Sequence, residues 1–520
     1  MKKETELVIS PKFVNDYSFL RKASAEKLKL NFAEISSVRI LRRSIDARSK
    51  NPIYRIKVLV YINEIPTDET STINYHHVID KCKRIAIVGF GPAGMFAALR
   101  LLELGVKPLV FERGKDVQSR RKDLKLILQD RIVNPNSNYC FGEGGAGAYS
   151  DGKLYTRATK RGDVQKILSV LVQHEAQKEI LIDAHPHIGS NILPKVVANI
   201  RNTVLKYGGE INFESKVTDF LISKNKINGL IINNNTEVNV DAVILAVGHS
   251  ARDIYYLIHS KNIFIEPKPF AMGVRIEHPQ HLIDQIQYHS AQRNPNLPAS
   301  SYNLACQIGE KGIYSFCMCP GGIIIPASTD KDELVLNGMS ISRRDSPFAN
   351  SGLVVSIDKK DWSSYNDCRV FAGLQLQKEL EKIAFIAGGK SLKAPAQRIT
   401  DFVQGKISDS LPASSYIPGT VSSPLHEILP SNISKMLQDS LLIFNKKMKG
   451  YFTHEAQILA AETRTSSPIR ITRNDETLEH LQIKGLFPCG EGAGYAGGIV
   501  SAAIDGERCA EAVKRILTLD

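Results

Sequence analysis

Cysteine is sparse in this 520-residue sequence, and its distribution argues against two common uses of the residue. Eight cysteines are scattered along the chain, and the only close pair is Cys317 and Cys319. A Cys-x-Cys pair lacks the Cys-x-x-Cys spacing of a thioredoxin-like redox motif, and no second pair completes a zinc site. We therefore expect mostly reduced, buried thiols in a cytoplasmic protein.

Long uncharged apolar runs are missing as well. The longest apolar stretch, residues 85–106, contains Arg100, Glu103 and a glycine turn. These features favour a buried strand and helix over a membrane span. The first residues, Met1 to Glu6, lead into no apolar segment of the kind found in a secretory signal. The sequence therefore predicts neither a membrane span nor a signal peptide.

Acidic residues are fewer than basic ones, and the resulting positive net charge bears on which partners the protein could bind. The chain has 54 Asp and Glu against 67 Lys and Arg, a formal net charge of +13. A nucleic acid, an acidic surface or substrate, or solubility alone would each account for that charge. The hydrophobic content of 43% is that of a globular protein, and 520 residues predict two or three domains.

The strongest motif is a dinucleotide-binding fingerprint at residues 84–112. An apolar strand enters a Gly-x-Gly-x-x-Gly turn, a helix leaves it, and a second strand ends at Glu112. Gly89 permits the tight turn, Gly91 lets the backbone approach a pyrophosphate, and Gly94 lets the helix pack closely on the strand. The Glu112 carboxylate stands where it can accept hydrogen bonds from a ribose. The chain is therefore predicted to bind a dinucleotide.

Two other segments match the same glycine pattern without its context. Residues 142–147 follow a loop-like stretch, 134–138, rather than a strand. Residues 492–497 leave little room for a second strand and its acid. A dedicated second domain for NAD(P) is therefore not expected, and NADH or NADPH would act only as a transient electron donor.

After the fingerprint, one strand ends in Ala246-Val247-Gly248, and a C-terminal strand ends in Gly490-Glu491. Three segments in this order resemble the two-domain FAD oxidoreductases, of which glutathione reductase and hydroxybenzoate hydroxylase are distant relatives. In these proteins the fingerprint holds the ADP half of FAD, and an acidic residue after the last strand contacts the ribitol. Glu491 takes the place of the commoner aspartate. The resemblance implies FAD as the dinucleotide.

Further motifs, spread over nearly the whole chain, lie at residues 141–154, 183–189, 248–253, 268–279, 314–322, 394–398 and 462–468. They are similar to those of a bacterial family of FAD-dependent, or NAD(FAD)-utilising, dehydrogenases. The resemblance implies a dehydrogenase without identifying its substrate.

Alternating strand and helix patterns predict an α/β fold in three parts. Residues 81–255 and 483–520 would form a discontinuous, Rossmann-like FAD-binding domain, and 256–482 an inserted mixed α/β substrate domain. Residues 1–80 would form a small basic α/β domain, ending in a linker from Thr67 to His77. Its basic segment, Arg39 to Arg48, is more often a solvated face than a nucleic-acid patch.

The glycine patterns and the resemblance together predict the residues that contact the cofactor. The expected FAD-binding residues are Gly89, Gly91, Pro92, Ala93, Gly94, Glu112, Arg113, Gly142, Gly144, Gly145, Gly147, Val217, Ala246, Gly248, Gly490, Glu491, Gly497, Gly498 and Ile499. The last helix, from about Gly497, would point its positive N-terminal end at the flavin. The loop 142–152 would place main chain against the ring, with Ser150, Asp151 and Lys153 as polar groups.

The candidate catalytic residues are His185, His187 and Arg464. The two histidines flank a proline and titrate near neutrality, which suits proton transfer, although satisfied core histidines are commoner. Arg464 would clamp a carboxylate or phosphate, or form a structural salt bridge. The weaker arginine candidates are Arg275, Arg343, Arg344 and Arg398. We favour buried structural thiols for Cys317 and Cys319 over a pair that reacts with flavin.

The sequence thus predicts an FAD-dependent oxidoreductase that passes a hydride through a tightly bound, non-covalent FAD, with a small-molecule substrate. The alternative is a flavoprotein that acts in RNA modification or RNA binding through residues 1–80. A third alternative is a flavin-binding protein without turnover, whose N-terminal domain mediates assembly.

Overall fold

The computed structural model describes residues 1–64, 72–79, 83–156 and 158–517. The predicted linker from Thr67 to His77 and the predicted boundary at residue 80 lie partly outside these ranges. Among the described residues, the strands are Lys2–Ile9 (β1), Ile35–Asp46 (β2), Ile53–Ile62 (β3), Ile85–Val88 (β4), Pro108–Phe111 (β5), Glu210–Asn212 (β6), Val217–Ser223 (β7), Lys226–Ile232 (β8), Thr236–Asn239 (β9), Ala242–Leu245 (β10), Ile265–Pro267 (β11), Phe270–Pro279 (β12), Ala305–Ile308 (β13), Lys311–Cys319 (β14), Ile323–Pro326 (β15), Leu336–Met339 (β16), Phe348–Ile357 (β17), Ala394–Arg398 (β18), Thr420–Ser422 (β19), Gln457–Glu462 (β20), Ile469–Ile471 (β21) and Leu486–Pro488 (β22).

The α-helices of the same residues alternate with these strands. They are Tyr17–Leu28 (α1), Pro92–Glu103 (α2), Val117–Gln129 (α3), Val164–Gln173 (α4), Leu193–Lys206 (α5), Arg252–Ser260 (α6), Gln280–Tyr288 (α7), Ala372–Ala387 (α8), Ile399–Gln404 (α9), Leu425–Ile428 (α10), Ser431–Lys447 (α11) and Ile499–Leu517 (α12). Within the described part of the chain, no helix combines the length and apolarity needed to cross a membrane.

A five-stranded parallel sheet forms the centre of the molecule, in the order β22-β10-β4-β5-β6. Strands β4, β5 and β10 are buried along their whole length, as expected for a parallel sheet covered on both faces. Along β4, Ile85 and Ile87 pack among α2, α4, α5 and α12, whereas Ala86 and Val88 pack among α6, β7 and β8. The α/β prediction with a parallel, Rossmann-like sheet is confirmed.

Two segments that the sequence reads as single strands are divided in the structure. Residues 221–233 form the hairpin of β7 and β8, because Lys224 and Asn225 adopt left-handed φ values of 50° and 58°. Residues 238–248 contribute to two sheets, since β9 pairs with β8 and β10 joins the parallel sheet. The prediction of one continuous strand was wrong in both places.

A seven-stranded sheet, β13-β14-β17-β12-β20-β18-β19, occupies the region between β12 and β20. Its strands are antiparallel except for the β18–β19 pair. Nine of the ten residues of the central strand β12 are buried, and the largest hydrophobic core of the molecule surrounds it. The pairing of β14 with β17 shifts register between Phe316 and Cys319, which marks a β-bulge.

The N-terminal residues form a three-stranded antiparallel sheet, β1-β3-β2, packed by α1. The basic segment from Arg39 to Arg48 lies mostly on β2. This sheet contacts the rest of the chain through main-chain hydrogen bonds of Arg43 with Ile182 and Ala184 (2.7 and 2.9 Å). The division of the chain into three domains stays a prediction.

Candidate functional site

A cavity of about 410 Å³ lies at the edge of the parallel sheet where its strands end. Four strands contribute to its wall, since β4 leads to Gly89, β5 to Glu112, β10 to Ala246 and β22 to Cys489. The predicted cofactor residues that line it are Gly89, Gly91, Pro92, Ala93, Glu112, Arg113, Gly145, Gly147, Val217, Ala246, Gly248, Glu491, Gly497, Gly498 and Ile499. Ligands of open α/β sheets bind at this edge, and the volume is that of a cofactor site.

The carboxylate of Glu112 fixes the geometry of the fingerprint turn. It accepts hydrogen bonds from the N–H groups of Phe90 (2.8 Å), Gly114 (2.9 Å) and Gly142 (3.0 Å). These bonds tie the turn after β4 to the loop that begins at Gly142. A carboxylate has about four lone-pair directions, so Glu112 retains the capacity to accept a further hydroxyl group from the cavity.

The glycines at the start of α12 face open space. A Cβ atom on Gly497 or Gly498 would meet no other heavy atom within 4 Å. Neither residue has a left-handed φ, so neither packing nor backbone conformation within the chain requires glycine there. Elsewhere in the lining of the cavity, Gly91 faces Gly145, and a Cβ on Gly91 would lie 3.8 Å from the Cα of Gly145. The cavity is therefore bounded by exposed main chain on two sides.

Four predicted cofactor residues stand behind the cavity wall rather than on its surface: Gly94, Gly142, Gly144 and Gly490. A Cβ on Gly94 would overlap the carbonyl oxygen of Gly89, and one on Gly142 would lie 2.6 Å from Cδ of Arg120. The N–H group of Gly490 donates to Asp505 (2.8 Å). These glycines shape the wall through close packing, and direct contact with a cofactor is not supported by their position.

His185 and His187 line a different cavity, of about 1120 Å³, between the N-terminal sheet and the rest of the chain. His187 Nε2 donates to the carbonyl oxygen of Ser342 (3.0 Å), and the His185 ring packs against Tyr155, which separates it from the first cavity. Burial lowers the pKa of His187. A proton-transfer role beside the cofactor stays a prediction that this placement does not favour.

Arg464 lines the first cavity, but its guanidinium group is already bound. It lies 2.9 Å from Glu381 and 2.6 Å from Glu333, and it also donates to Thr329 (2.7 Å). Arg252 makes two further hydrogen bonds to Glu381. The salt bridge that we predicted as the alternative is therefore present, and a substrate clamp by Arg464 stays untested.

The weaker arginine candidates have other partners. Arg275 is fully buried between Asn350 and Glu462, and Arg398 donates to the carbonyl oxygen of Ser410 (2.7 Å). Arg343 pairs with Asp345 at the surface, and Arg344 pairs with Asp151 (2.6 Å). Of these four arginines, none lines the first cavity.

Asp151 and Lys153 lie at the inner end of the cavity, where their loop reaches the seven-stranded sheet. The Lys153 ammonium group is 3.0 Å from Asp151, and Ser340 also donates to Asp151. Although burial raises the pKa of Asp151, Lys153 and Arg344 hold it well below its usual range. This end of the cavity therefore carries a fixed set of charges.

The sequence did not predict the residues that close this inner end. Phe316 and Cys317 come from β14, and Asn337 comes from β16. Phe316 and Cys317 reach the cavity because the seven-stranded sheet packs against the end of the parallel sheet, whereas Asn337 belongs to the two-stranded sheet of β15 and β16. The local signals in this region were the close Cys317–Cys319 spacing and the motif at residues 314–322.

Comparisons with known proteins identify relatives at the level of the whole chain and of two of its parts. The chain is 40% identical over 519 residues to an uncharacterized protein of Clostridium beijerinckii, which covers 96% of both chains. Residues 269–465 match a family described as FAD-dependent protein, C-terminal domain-like, and residues 1–61 match a domain of unknown function (DUF8436).

Two further likenesses are more distant. A thiamine thiazole synthase of Aeropyrum pernix is 25% identical over 179 residues, which is 34% of this chain and 54% of that protein. Among solved structures, glycine oxidase from Bacillus cereus covers 84% of this chain and 95% of its own, with 12% identity and a TM-score of 0.31.

Proposed function

The chain belongs to the same family as the Clostridium beijerinckii protein, and from this premise we propose that it is an FAD-dependent oxidoreductase that binds FAD non-covalently in the first cavity. The observation that carries the proposal is the convergence of four parallel strand ends on a cavity bounded by exposed glycine main chain. The match of residues 269–465 to an FAD-dependent protein family supports it.

The residues present fit the chemical groups of FAD. The N-terminus of α2 leaves N–H groups without intrahelical partners, which suits a pyrophosphate, and Glu112 would accept hydrogen bonds from the adenosine ribose. Glu491 would bind hydroxyl groups of the ribitol. Gly497 and Gly498 would lie against the ring, where a side chain would block the approach of main chain.

FAD, when bound, would supply hydride transfer, and the chain would orient it and favour its reduced form. The N-terminal end of α12 carries a partial positive charge, which stabilises negative charge that develops nearby. Lys153 adds a full positive charge at the inner end of the cavity. We propose that a small-molecule substrate binds at this end and that NADH or NADPH acts, at most, as a transient electron donor.

The decisive experiment measures cofactor binding by the full-length protein. We expect the purified protein to be yellow and to release FAD, intact, on denaturation. Gly498→Val should weaken FAD affinity at least about tenfold, since its side chain would fill the open space before α12. Gly312→Val is the matched control, because a Cβ there meets nothing closer than Ser356 Oγ at 3.9 Å, and Gly312 is outside the cavity.

Two results would contradict the proposal. One is a wild-type protein that binds no FAD, and the other is a Gly498→Val variant with the affinity of Gly312→Val. Anaerobic mixing of the loaded protein with NADH and NADPH then tests turnover. Loss of the yellow colour with either nucleotide would identify the donor, whereas a flavin that no donor reduces would favour the binding protein without turnover.

A further inference from the structure

Cys317 is directed into the first cavity by an irregularity of the backbone. It lies in the β-bulge of β14, with a left-handed φ of 45°. Its thiol is half-buried and lines the cavity, whereas Cys319, two residues later, is buried. Bulges and strained φ values recur where a strand re-aims a side chain at a functional site. The bulge thus makes one of the two thiols accessible to a ligand.

Positive charge surrounds this thiol. The Lys153 ammonium group is 3.9 Å from Cys317 Sγ and 3.6 Å from Cys319 Sγ. Arg275 donates to the carbonyl oxygen of Cys317 (2.9 Å) and lies 3.5 Å from Cys319 Sγ. The charged groups around the pair are Lys153, Arg275, Arg344, Asp151 and Glu462. The cluster thus contains three positive side chains and two carboxylates. A negative charge on Cys317 would bring its net charge to zero.

The state of Glu462 increases this imbalance. The side chain is almost fully buried, and its Oε2 atom has no hydrogen-bond partner among the described residues. Burial raises the pKa of Glu462 to about 7, although Arg275 opposes the rise. Because a negative charge on Cys317 contributes to this rise, the loss of charge on Glu462 is linked to a thiolate at Cys317.

The three cysteines that line the cavity differ in their surroundings. Burial raises the pKa of Cys140, and a hydrogen bond with Cys509 together with burial raises that of Cys489. The pKa of Cys317, in contrast, is lowered. A hydrogen bond with Cys319 lowers the pKa of Cys317, burial opposes this, and Lys153 and Arg275 lower it further. Cys140 therefore serves as an internal reference for Cys317.

We propose that Cys317 is a reactive thiolate, held by Lys153 and Arg275, that presents a nucleophilic sulfur to soft electrophilic ligands in the FAD cavity. The reactivity of the thiolate follows from the chain alone, whereas its position beside FAD rests on the proposed function. Thiolates, not thiols, are the nucleophiles of cysteine chemistry, and nearby cations promote them. Lys153 is a positioning residue that stabilises the anion.

Alkylation of the full-length protein tests the thiolate directly. With iodoacetamide, the sulfur attacks carbon, an S–C bond forms as the C–I bond breaks, and iodide leaves. At a pH of about 6, peptide mapping should show Cys317 modified at least about tenfold faster than Cys140, because an ordinary thiol is almost entirely protonated there. Equal rates for the two cysteines would overturn the inference, and this comparison needs no variant.

A lysine substitution tests the origin of the reactivity. Lys153→Met should slow the alkylation of Cys317 about tenfold at the same pH, by removing the closest cation. Lys216→Met is the matched control, since Lys216 lines the same cavity but pairs with Asp253 (2.8 Å). If both variants alkylate at the wild-type rate, Lys153 does not hold the thiolate and the inference fails.

FAD loading separates this inference from the proposed function. Bound FAD should shield Cys317 from iodoacetamide and should give long-wavelength absorption that Cys317→Ser loses and Cys140→Ser keeps. If Cys317 is alkylated rapidly but the protein binds no FAD, the proposed function is wrong and the inference of a reactive thiolate stands. If the protein binds FAD, but Cys317 of the FAD-free protein is alkylated slowly and the loaded protein lacks the long-wavelength absorption, the inference of a reactive thiolate is wrong and the proposed function stands.

Discussion

At the scale of single residues, the glycines of the fingerprint divide by what their missing side chain would touch. Gly94 is packed against the chain itself, since a Cβ there would overlap the carbonyl oxygen of Gly89. Gly91 has only Gly145 in front of it, at 3.8 Å from Cα to the added Cβ. Glycine is therefore required for folding at position 94, whereas at position 91 it leaves room for a ligand.

This difference gives opposite expectations for two alanine substitutions. Gly94→Ala should lower the free energy of unfolding by about 1–3 kcal/mol or more, since the overlap is with backbone that cannot move aside. Gly91→Ala should change it by less than about 1 kcal/mol and weaken FAD binding instead. Urea unfolding of the cofactor-free proteins and FAD titration measure the two effects. Equal unfolding midpoints for both variants would refute this division.

At the scale of elements, Glu381 of α8 joins α6 to the segment that follows β20. Its fully buried carboxylate accepts hydrogen bonds from Arg252 (2.7 Å), Thr463 (2.7 Å) and Arg464 (2.9 Å). Although burial raises the pKa of Glu381, the two guanidinium groups hold it well below its usual range. Arg464 is thus part of the connection between a helix of the parallel-sheet region and the seven-stranded sheet.

The depressed pKa of Glu381 predicts how stability depends on pH. Its contribution is complete above the unfolded-state pKa of about 4.3 and is lost as the pH falls toward the lower folded-state pKa. Glu381→Gln should lower the free energy of unfolding by about 3 kcal/mol near neutral pH, because Arg252 and Arg464 lose one of their two carboxylate partners and keep only Glu333. This difference from wild type should narrow as the pH falls below about 4. Chemical denaturation at several pH values measures the gap.

The matched control for this prediction is Glu379→Gln on the same helix. Glu379 is partly exposed and accepts a hydrogen bond from Gln375 (2.9 Å). The Glu379→Gln substitution should lower the free energy of unfolding by less than about 1 kcal/mol at any pH. A gap between wild type and Glu381→Gln that stays constant down to a pH of about 3 would contradict the ionised, buried Glu381.

The elements also show which parts of the molecule the sequence could predict. The strand, turn and helix of β4 and α2 are predictable because glycine spacing and apolar periodicity are local features of the sequence. The strand ends at Ala246 and Glu491 are predictable because their segments follow the fingerprint in the same order as in the FAD oxidoreductases that the sequence resembles. The inner end of the cavity is not predictable in this way. Cys317 approaches Lys153 only because β14 of the seven-stranded sheet packs against the loop that carries Lys153. The bulge that directs Cys317 into the cavity is not visible in the amino-acid composition.

At the scale of the whole molecule, part of the positive charge of the N-terminal sheet is engaged in ion pairs, although Arg39 and Arg42 are exposed. Arg43 pairs with Asp183 (2.7 Å), Arg48 with Asp46 (2.6 Å), and Arg55 with Asp46 (3.0 Å). Arg43 is used to connect this sheet to the rest of the chain. These ion pairs favour a structural role for these three arginines over phosphate binding.

We therefore expect the full-length protein not to be retained on immobilised RNA at physiological salt. Phosphate contacts would give retention that falls steeply as salt is raised, since bound cations are released from the RNA. Elution across a salt gradient makes the measurement, with an immobilised neutral polymer as the control matrix. Strong retention that disappears with salt would restore the RNA-binding alternative.

The last strand and helix of the parallel sheet have a consequence for the biosynthesis of the protein. Strand β22 pairs with β10, and α12 packs along α2, although some 400 residues separate α2 from α12. During translation, the fingerprint turn therefore leaves the ribosome long before the segments that complete the cavity. Cofactor loading would have to wait until β22 and α12 have been synthesised, and chaperones would meet a nascent chain whose parallel sheet still has an open edge at β10.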